Sequence, residues 1–302
     1  MSRRDCPVCS APSQAAPIFL NQSIDTTKLS PLSFASRKPP EFMSHQLVSC
    51  PGCGLVYADE PLDQDVLARA YHSANFDSAD EAADAAESYA HAIRPLLSVL
   101  PDKGSVLEIG SGTGIFLEKL AQAGFQDLLG VEPSAAAIAA APPHRRAWLR
   151  ETIFREEDFE PASFDLICCF MTMEHVRDPS LLAAAVARLL RPGGAFAIVV
   201  HDHRAFVNRV LGRRSPIIDI EHMQLFSVSA VESLFRQAGL ERPQIASFRN
   251  RYALSYWVRL LPLPAMLRGP VQSLLRATGL ARRKVSINVG NLFCYAFHTT
   301  DV

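Results

Sequence analysis

The residues of this chain whose spacing could do chemistry are two cysteine pairs, a glycine cluster with acidic neighbours, and a group of histidines late in the sequence. Cys6-Pro7-Val8-Cys9 and Cys50-Pro51-Gly52-Cys53-Gly54 are two tight turns that together offer four thiolates, a set that suits tetrahedral Zn²⁺. Four thiolates close the coordination shell, so such a zinc would be structural. The interval between the pairs, 10–49, is longer than in an ordinary zinc ribbon. In Glu108-Ile109-Gly110-Ser111-Gly112-Thr113-Gly114 the glycines permit unusual backbone angles and let a ligand approach the main chain. A second apolar run, Leu128–Val131, ends in Glu132, 18 positions after Gly114, where a carboxylate can take two ribose hydroxyls. The order Gly-x-Gly-x-Gly departs from the Gly-x-Gly-x-x-Gly of dinucleotide sites, so the following helix need not cradle a pyrophosphate.

These residues need elements to position them. At 302 residues and 48% hydrophobic side chains, the chain can bury one large core and a smaller appendage. The Pro- and Ser-rich stretch between the cysteine pairs, with Pro31, Pro39 and Pro40, predicts a small loop-rich module over 1–62. Tyr89, Ile93, Leu96, Leu97 and Leu100 at helical spacing predict a helical linker over 63–100. Strand-like runs then alternate with helical ones: Val106–Ile109, a helix over Ile115–Ala123, Leu128–Val131, a helix over Ala135–Ala141, Phe164–Phe170, a helix over Leu181–Leu190 and Ala195–Val200. That alternation predicts an α/β domain over 101–302 with a mostly parallel sheet covered by helices on both faces. Ser229–Ala238 with Gly239 as its stop predicts the last helix, and Asn291–His298 an edge strand. Segment 252–284 is apolar but interrupted by Pro262, Pro264 and Pro270 and studded with Arg259, Arg268 and Arg276. It reads as a lid, a peripheral membrane contact or a packed insertion.

The motifs resemble those of class I S-adenosylmethionine-dependent methyltransferases. Glu108–Gly114 is similar to their motif I and Val131-Glu132-Pro133-Ser134 to motif II. Ser163–Ile167 resembles the fourth strand, Met173–Pro179 the loop after it, and Leu190-Arg191-Pro192-Gly193-Gly194 the turn into the fifth. Glu221–Ser227 resembles a segment of the small-molecule branch. Cys50–Tyr57 resembles the second half of the zinc-binding head carried by methyltransferases of sugar, polysaccharide and secondary-metabolite pathways. The resemblance spans about residues 100–300 and implies a Rossmann-like seven-stranded fold. It places Gly110, Ser111, Gly112 and Gly114 around the methionine and ribose of S-adenosylmethionine, with Glu132 on the ribose and Glu108 at the ammonium end. Thr152 and Ile153 would flank the adenine, and Phe170 would close the cofactor side. Cys6, Cys9, Cys50 and Cys53 would hold the zinc.

A hydroxyl or carbon acceptor must lose a proton, which calls for a base, most often histidine. His175, His201, His203 and His222 follow strand ends, where ligand sites of open α/β sheets lie. His222 reads as a base or substrate-orienting residue, His201 as a second candidate and His175 as a structural or cofactor-side residue. Family members commonly continue the fifth strand into Pro-Asn, whereas here the sequence is Val200-His201-Asp202-His203, so a different acceptor pocket is expected. His201-Asp202-His203 lacks a third ligand and does not predict a catalytic metal.

The net charge of −1 hides an asymmetry, with 14 Lys/Arg against 6 Asp/Glu in 201–302. A basic C-terminal third fits an anionic acceptor, nucleotide-linked or lipid-linked, such as a sugar intermediate. The chain shows no secretory leader and no membrane span, and reduced cysteines fit the cytoplasm. Cys168, Cys169 and Cys294, inside apolar runs, read as core thiols. DNA is not expected as a partner. An RNA methyltransferase is the alternative, disfavoured because no Asn-Pro-Pro-Tyr-type motif is present. A non-catalytic cofactor-binding module is disfavoured by the intact glycine loop and Glu132. Acceptor atom and oligomeric state are not encoded in any motif.

Overall fold

The computed structural model describes residues 3–25, 27, 33–34, 41–61, 64–73 and 79–299. Pro31, Pro39 and Pro40 lie outside the described residues. The elements in chain order are β1 (Ile18–Leu20), β2 (Leu47–Ser49), β3 (Val56–Ala58), α1 (Gln64–His72), α2 (Ala79–Ala92), α3 (Arg94–Val99), β4 (Ser105–Ile109), α4 (Ile115–Gln122), β5 (Asp127–Glu132), α5 (Ala135–Ala140), α6 (Pro143–Arg146), β6 (Leu149–Glu151) and β7 (Phe164–Phe170). They continue with α7 (Pro179–Leu189), β8 (Leu190–His201), α8 (Phe206–Leu211), β9 (Gln224–Leu225), α9 (Val228–Gln237), β10 (Glu241–Ala253), α10 (Leu254–Leu260), α11 (Ala265–Ala277) and β11 (Lys284–Phe297).

A seven-stranded sheet runs β10-β11-β8-β7-β4-β5-β6. The four pairings among β8, β7, β4, β5 and β6 are parallel, and β11 pairs antiparallel with both β8 and β10. The sheet is thus the mostly parallel Rossmann-like one the sequence predicts. Strand alternation sorts its side chains onto two faces. Leu107, Ile109, Ile167, Cys169, Ile198 and Val200 join α7 and α9 in one buried cluster. Val106, Leu166, Cys168, Ala197 and Val199 join α2, α3 and α4 in another. Cys168, Cys169 and Cys294 are all buried.

The last strand and the linker differ from the sequence reading. The strand expected over Asn291–His298 begins seven residues earlier, at Lys284, and lies inside the sheet rather than at its edge; the edge is β10. The helical linker is broken, because Pro95 sits in the first turn of α3 and restarts the helix after Ile93. Local chemistry fixes the remaining ends. The Ser134 and Ser227 hydroxyls accept the N–H groups of Ala137 and Ala230 at 3.2 and 3.3 Å, capping α5 and α9. Each cap is worth about 1 kcal/mol.

The N-terminal part is more than loops. β1, β2 and β3 form an antiparallel sheet that β9 completes, with Val56 opposite Leu225 and Tyr57 opposite Gln224. Among the described residues, no helix is long and apolar enough to cross a membrane.

Candidate active site

The chain turns from β4 into one half of the sheet and returns to β7 on the other side of β4. A crevice therefore opens beyond the carboxyl ends of these strands. It is occupied by a cavity of about 590 Å³.

One end of the cavity is the glycine loop. Gly110, Gly112 and Gly114 have φ of +76°, +54° and +68°, values that only glycine adopts freely. A Cβ on Gly110 would overlap Thr172, whereas one on Gly112 would meet nothing within 4 Å. The open space over Gly112 is room for a ligand against the main chain. The Glu132 carboxylate accepts the Gly112 N–H at 2.7 Å and the Ser134 N–H at 2.8 Å. Burial pushes its pKa up, while the Ser134 and Gly112 N–H groups pull it back. Glu108, 4% exposed, lines the same end with Ser111, Thr113 and Phe170. The Phe170 ring packs on Phe116 and Tyr89 at 4.8 and 5.2 Å between centroids. These residues fit the nucleoside and amino-acid parts of S-adenosylmethionine: a carboxylate for ribose hydroxyls, a second carboxylate for an ammonium, and a cradle that a Cβ would fill. Gly114 closes the loop as the residue before α4 and does not line the cavity; nor do Thr152 and Ile153, which follow β6.

The other end gathers three of the four histidines from separate loops. His175 follows β7, His201 ends β8 and His222 precedes β9. The His222 ring lies 4.9 Å from that of His175 and 5.4 Å from that of His201. His222 Nδ1–H donates to the Ile217 carbonyl at 2.8 Å, which leaves Nε2 as an acceptor. His201 is held well below the ordinary histidine range by burial first, then by His222 and His175. His222 is lowered by burial and by His175, against Asp219 and Glu221. Both imidazoles are therefore neutral at neutral pH and able to accept a proton. His203 turns the other way, its Nε2 bonding with the Gly54 carbonyl at 3.0 Å, so the His-x-His pair is split between the cavity and the cysteine turns.

Other site residues were given no role by the sequence, although Glu174, Glu221 and Gln224 lie in segments that resemble family motifs. Tyr71 of α1 reaches the His175 Nδ1 at 2.7 Å and donates to Glu221 Oε2 at 3.3 Å. Glu174, 1% exposed, accepts the His201 backbone N–H at 2.7 Å, and burial pushes its carboxyl up to about 7. Gln224 donates to the carbonyls of Met173 and Val176, fixing the loop that carries Glu174 and His175. Only alternation in β10 and β11 could have marked Asn250 and Asn291, which also line the cavity. Beyond the histidines the wall is apolar and aromatic, formed by Leu254, Tyr256, Trp257, Leu260, Ile287 and Val289. Among the described residues, no Lys or Arg lines the cavity.

The four paired cysteines meet as the spacing predicts. All four Sγ atoms lie within 4.8 Å of one another, with Cys6 3.6 Å from Cys53 and Cys9 3.3 Å from Cys50. Ser10 and Gly54, each one position past a pair, are left-handed at +57° and +75°. Each sends its N–H back to the first cysteine's carbonyl, at 2.9 and 3.0 Å. Four thiols so crowded share protons unequally: a hydrogen bond from Cys53 draws Cys6 down to about 5, while Cys53 is pushed up. The donor set and spacing fit Zn²⁺.

A family model described as a methyltransferase domain matches residues 82–244, more than half of the chain. The ubiquinone biosynthesis O-methyltransferase of Methylococcus capsulatus is 29% identical over 161 residues, covering 51% of this chain and 60% of that protein. The corresponding enzyme of Ralstonia nicotianae is 30% identical over 190 residues, covering 55% of this chain and 79% of its own length. The match thus spans less than two thirds of the first of these relatives. A crystal structure of an S-adenosylmethionine-dependent methyltransferase from Thermotoga maritima superposes with a TM-score of 0.48 at 20% identity, over 71% of this chain and 89% of that one.

Proposed function

Because the chain belongs to the class I S-adenosylmethionine-dependent methyltransferase family, we propose that it acts on a small molecule and methylates a hydroxyl group on an apolar, ring-bearing acceptor. The observation that carries this reading is the cavity's far end, where neutral histidines face an aromatic and aliphatic wall. The activity for which the relatives are named, O-methylation, points the same way.

S-adenosylmethionine supplies a methyl group on a sulfonium, and the residues described here align and deprotonate its target. Glu132 would hold the ribose, the loop from Gly110 to Gly114 the chain joining it to sulfur, and Glu108 the ammonium. Thr152 and Ile153, which follow β6, would flank the adenine. The acceptor oxygen faces the histidines and gives its proton to a neutral imidazole, that of His222 or His201, with His175 orienting. The oxygen–methyl bond forms as the sulfur–methyl bond breaks, leaving S-adenosylhomocysteine and a methyl ether. Alignment of the two reactants is the larger part of such catalysis.

The acceptor's charge is carried outside the cavity. Arg259, Arg268 and Arg276 line a second cavity beside α10 and α11, and Tyr256 and Val258 line both. Met266 and Leu274 of α11 are 80% and 64% exposed. Exposed apolar side chains among arginines suit an interface with anionic lipid. We therefore favour a lipid-linked acceptor over a nucleotide sugar, with 252–284 as its peripheral membrane contact. Residues 1–62 would serve as a structural zinc module and 63–100 as the link to the catalytic domain, 101–302.

Labelled methyl transfer tests this directly, with prenylated and tail-free phenolic acceptors compared with nucleotide sugars. Label should enter the phenols as methyl ether, with the prenylated form preferred. Label entering only the nucleotide sugars would overturn the proposal.

A further inference from the structure

The second cavity, of about 380 Å³, lies between α10 and α11 and takes its charged lining from Arg259, Arg268, Arg276 and Glu81 of α2. Glu81 pairs with Arg259 at 2.9 Å. Residues 254–283 include no Asp or Glu, and neither Arg268 nor Arg276 meets a carboxylate among the described residues. Three guanidinium groups thus share one carboxylate, and the positive charge left over faces the cavity. The walls are held in place by hydrogen bonds. Arg268 and Arg276 donate through Nε to the Leu263 and Gln272 carbonyls at 3.1 and 3.3 Å, which fixes their stems and leaves their Nη groups as donors. Gln272, between them on the same helix face, donates to the Ser255 carbonyl at 2.9 Å and fastens α11 to the start of α10. Arg259 lies over the Tyr256 ring at 5.0 Å, and its Nε is buried with no hydrogen-bond partner among the described residues.

A membrane beneath α11 would not fill this cavity. Arg268 and Arg276 each follow an exposed apolar residue, Met266 and Leu274, by two positions, which is about 200° round an α-helix. The arginine stripe therefore opens away from the apolar one, toward α10, and its anion must reach inside. Guanidinium forks match the oxygens of a phosphate, which can take two N–H donors from each. Tyr256 and Val258 line both cavities, so a single ligand can span them. We propose that Arg259, Arg268 and Arg276 bind a phosphoryl or diphosphoryl group carried by the acceptor, while its hydroxyl-bearing ring lies among the histidines. The acceptor's part rests on the O-methylation reading above, whereas the anion site stands on the second cavity alone. The phosphate is unchanged by the reaction, and its binding holds the ring in line with the sulfonium.

Inorganic pyrophosphate is the probe for the site, titrated into the full-length protein by calorimetry. Wild type should bind it, and Arg268→Gln/Arg276→Gln should bind it at least about tenfold more weakly. Arg213→Gln/Arg214→Gln, which removes two exposed arginines that line neither cavity, should bind it as wild type does. No binding by wild type, or equal weakening in both double variants, would overturn the site. Methyl transfer to one prenylated phenol, with and without a phosphate on its side chain, shows which molecule brings the phosphate. The phosphate should lower KM at least about tenfold in wild type, and Arg268→Gln/Arg276→Gln should abolish that difference. A wild-type KM that ignores the phosphate would overturn the acceptor's part, and loss of binding to phosphatidylglycerol vesicles in Arg268→Gln/Arg276→Gln would then assign the site to a lipid headgroup. Pyrophosphate binding weakened only in that variant, with no hydroxyl acceptor ever methylated, would support the anion site and overturn the O-methylation reading instead.

Discussion

Burial drives Glu174 toward its neutral form, and that makes one residue of the site visible in the stability of the whole chain. Its folded pKa of about 7 stands above the ordinary 4.5. Between those values the folded chain holds a proton that the unfolded chain has lost. The resulting stabilisation is complete below about 4.5 and is lost as pH rises through about 7. Glu174→Gln keeps an acceptor for the His201 N–H and removes the titration. Relative to wild type, its stability should therefore rise between about pH 5 and 7 by up to about 1.4 kcal/mol per pH unit. Urea unfolding at several pH values measures this; parallel curves for the two proteins would show that Glu174 does not titrate there. The lowered His201 and His222 act with the opposite sign but are common to both proteins and cancel. At this scale the histidines were legible because they follow strand ends. Glu174, Glu221 and Tyr71 were not, since an acidic loop residue looks solvated until the topology carries it inside.

The cysteine turns matter as elements because of what their carbonyls hold. The Cys53 carbonyl accepts the Ser229 hydroxyl at 2.9 Å, and the Gly54 carbonyl is approached by His203 at 3.0 Å, two residues from His201. Arg4 donates to the Arg177 carbonyl at 2.6 Å, two residues from His175. The Ala58 N–H donates to the Met223 carbonyl at 2.8 Å, next to His222. Each histidine loop is thus tied to the N-terminal part, while among the described residues no hydrogen bond from that part reaches the glycine loop. Removal of the proposed zinc, or Cys53→Ser, should lower acceptor turnover by about 10- to 100-fold, the scale of an ångström-sized misplacement, and leave cofactor affinity within about threefold. Equal loss of both, measured by kinetics and by calorimetry, would assign the zinc to general folding instead. The cysteine pairing was legible from spacing alone. The pairing of β10 with β11 was not, because two helices separate them, and the alternation of Lys284, Ser286 and Asn288 with Val285, Ile287 and Val289 extends β11 beyond the apolar run that marked its second half.

Across the whole molecule, local and global signals agree for β4, β7 and the Ala195–Val200 part of β8, which are buried on both faces and read as apolar runs, whereas β6, a short and largely exposed strand of Leu149, Arg150 and Glu151, gave no such run. They part at the acceptor end, which is lined from α1, the antiparallel pair β10 and β11, α10 and the histidine loops. Contacts of long sequence separation such as Tyr71 with Glu221 leave no periodic trace. One cavity thus has a proposed cofactor end at Glu132 and a proposed acceptor end at the histidines. Calorimetric titration of wild type, Glu132→Ala and His222→Ala with S-adenosylmethionine, S-adenosylhomocysteine and NAD tests that division most directly. Wild type and His222→Ala should bind both sulfur ligands equally and NAD not at all. Glu132→Ala should bind them at least about 100-fold more weakly, the value of two charge-assisted hydrogen bonds. Unchanged binding in Glu132→Ala, or an equal loss in His222→Ala, would contradict the assignment of the two ends.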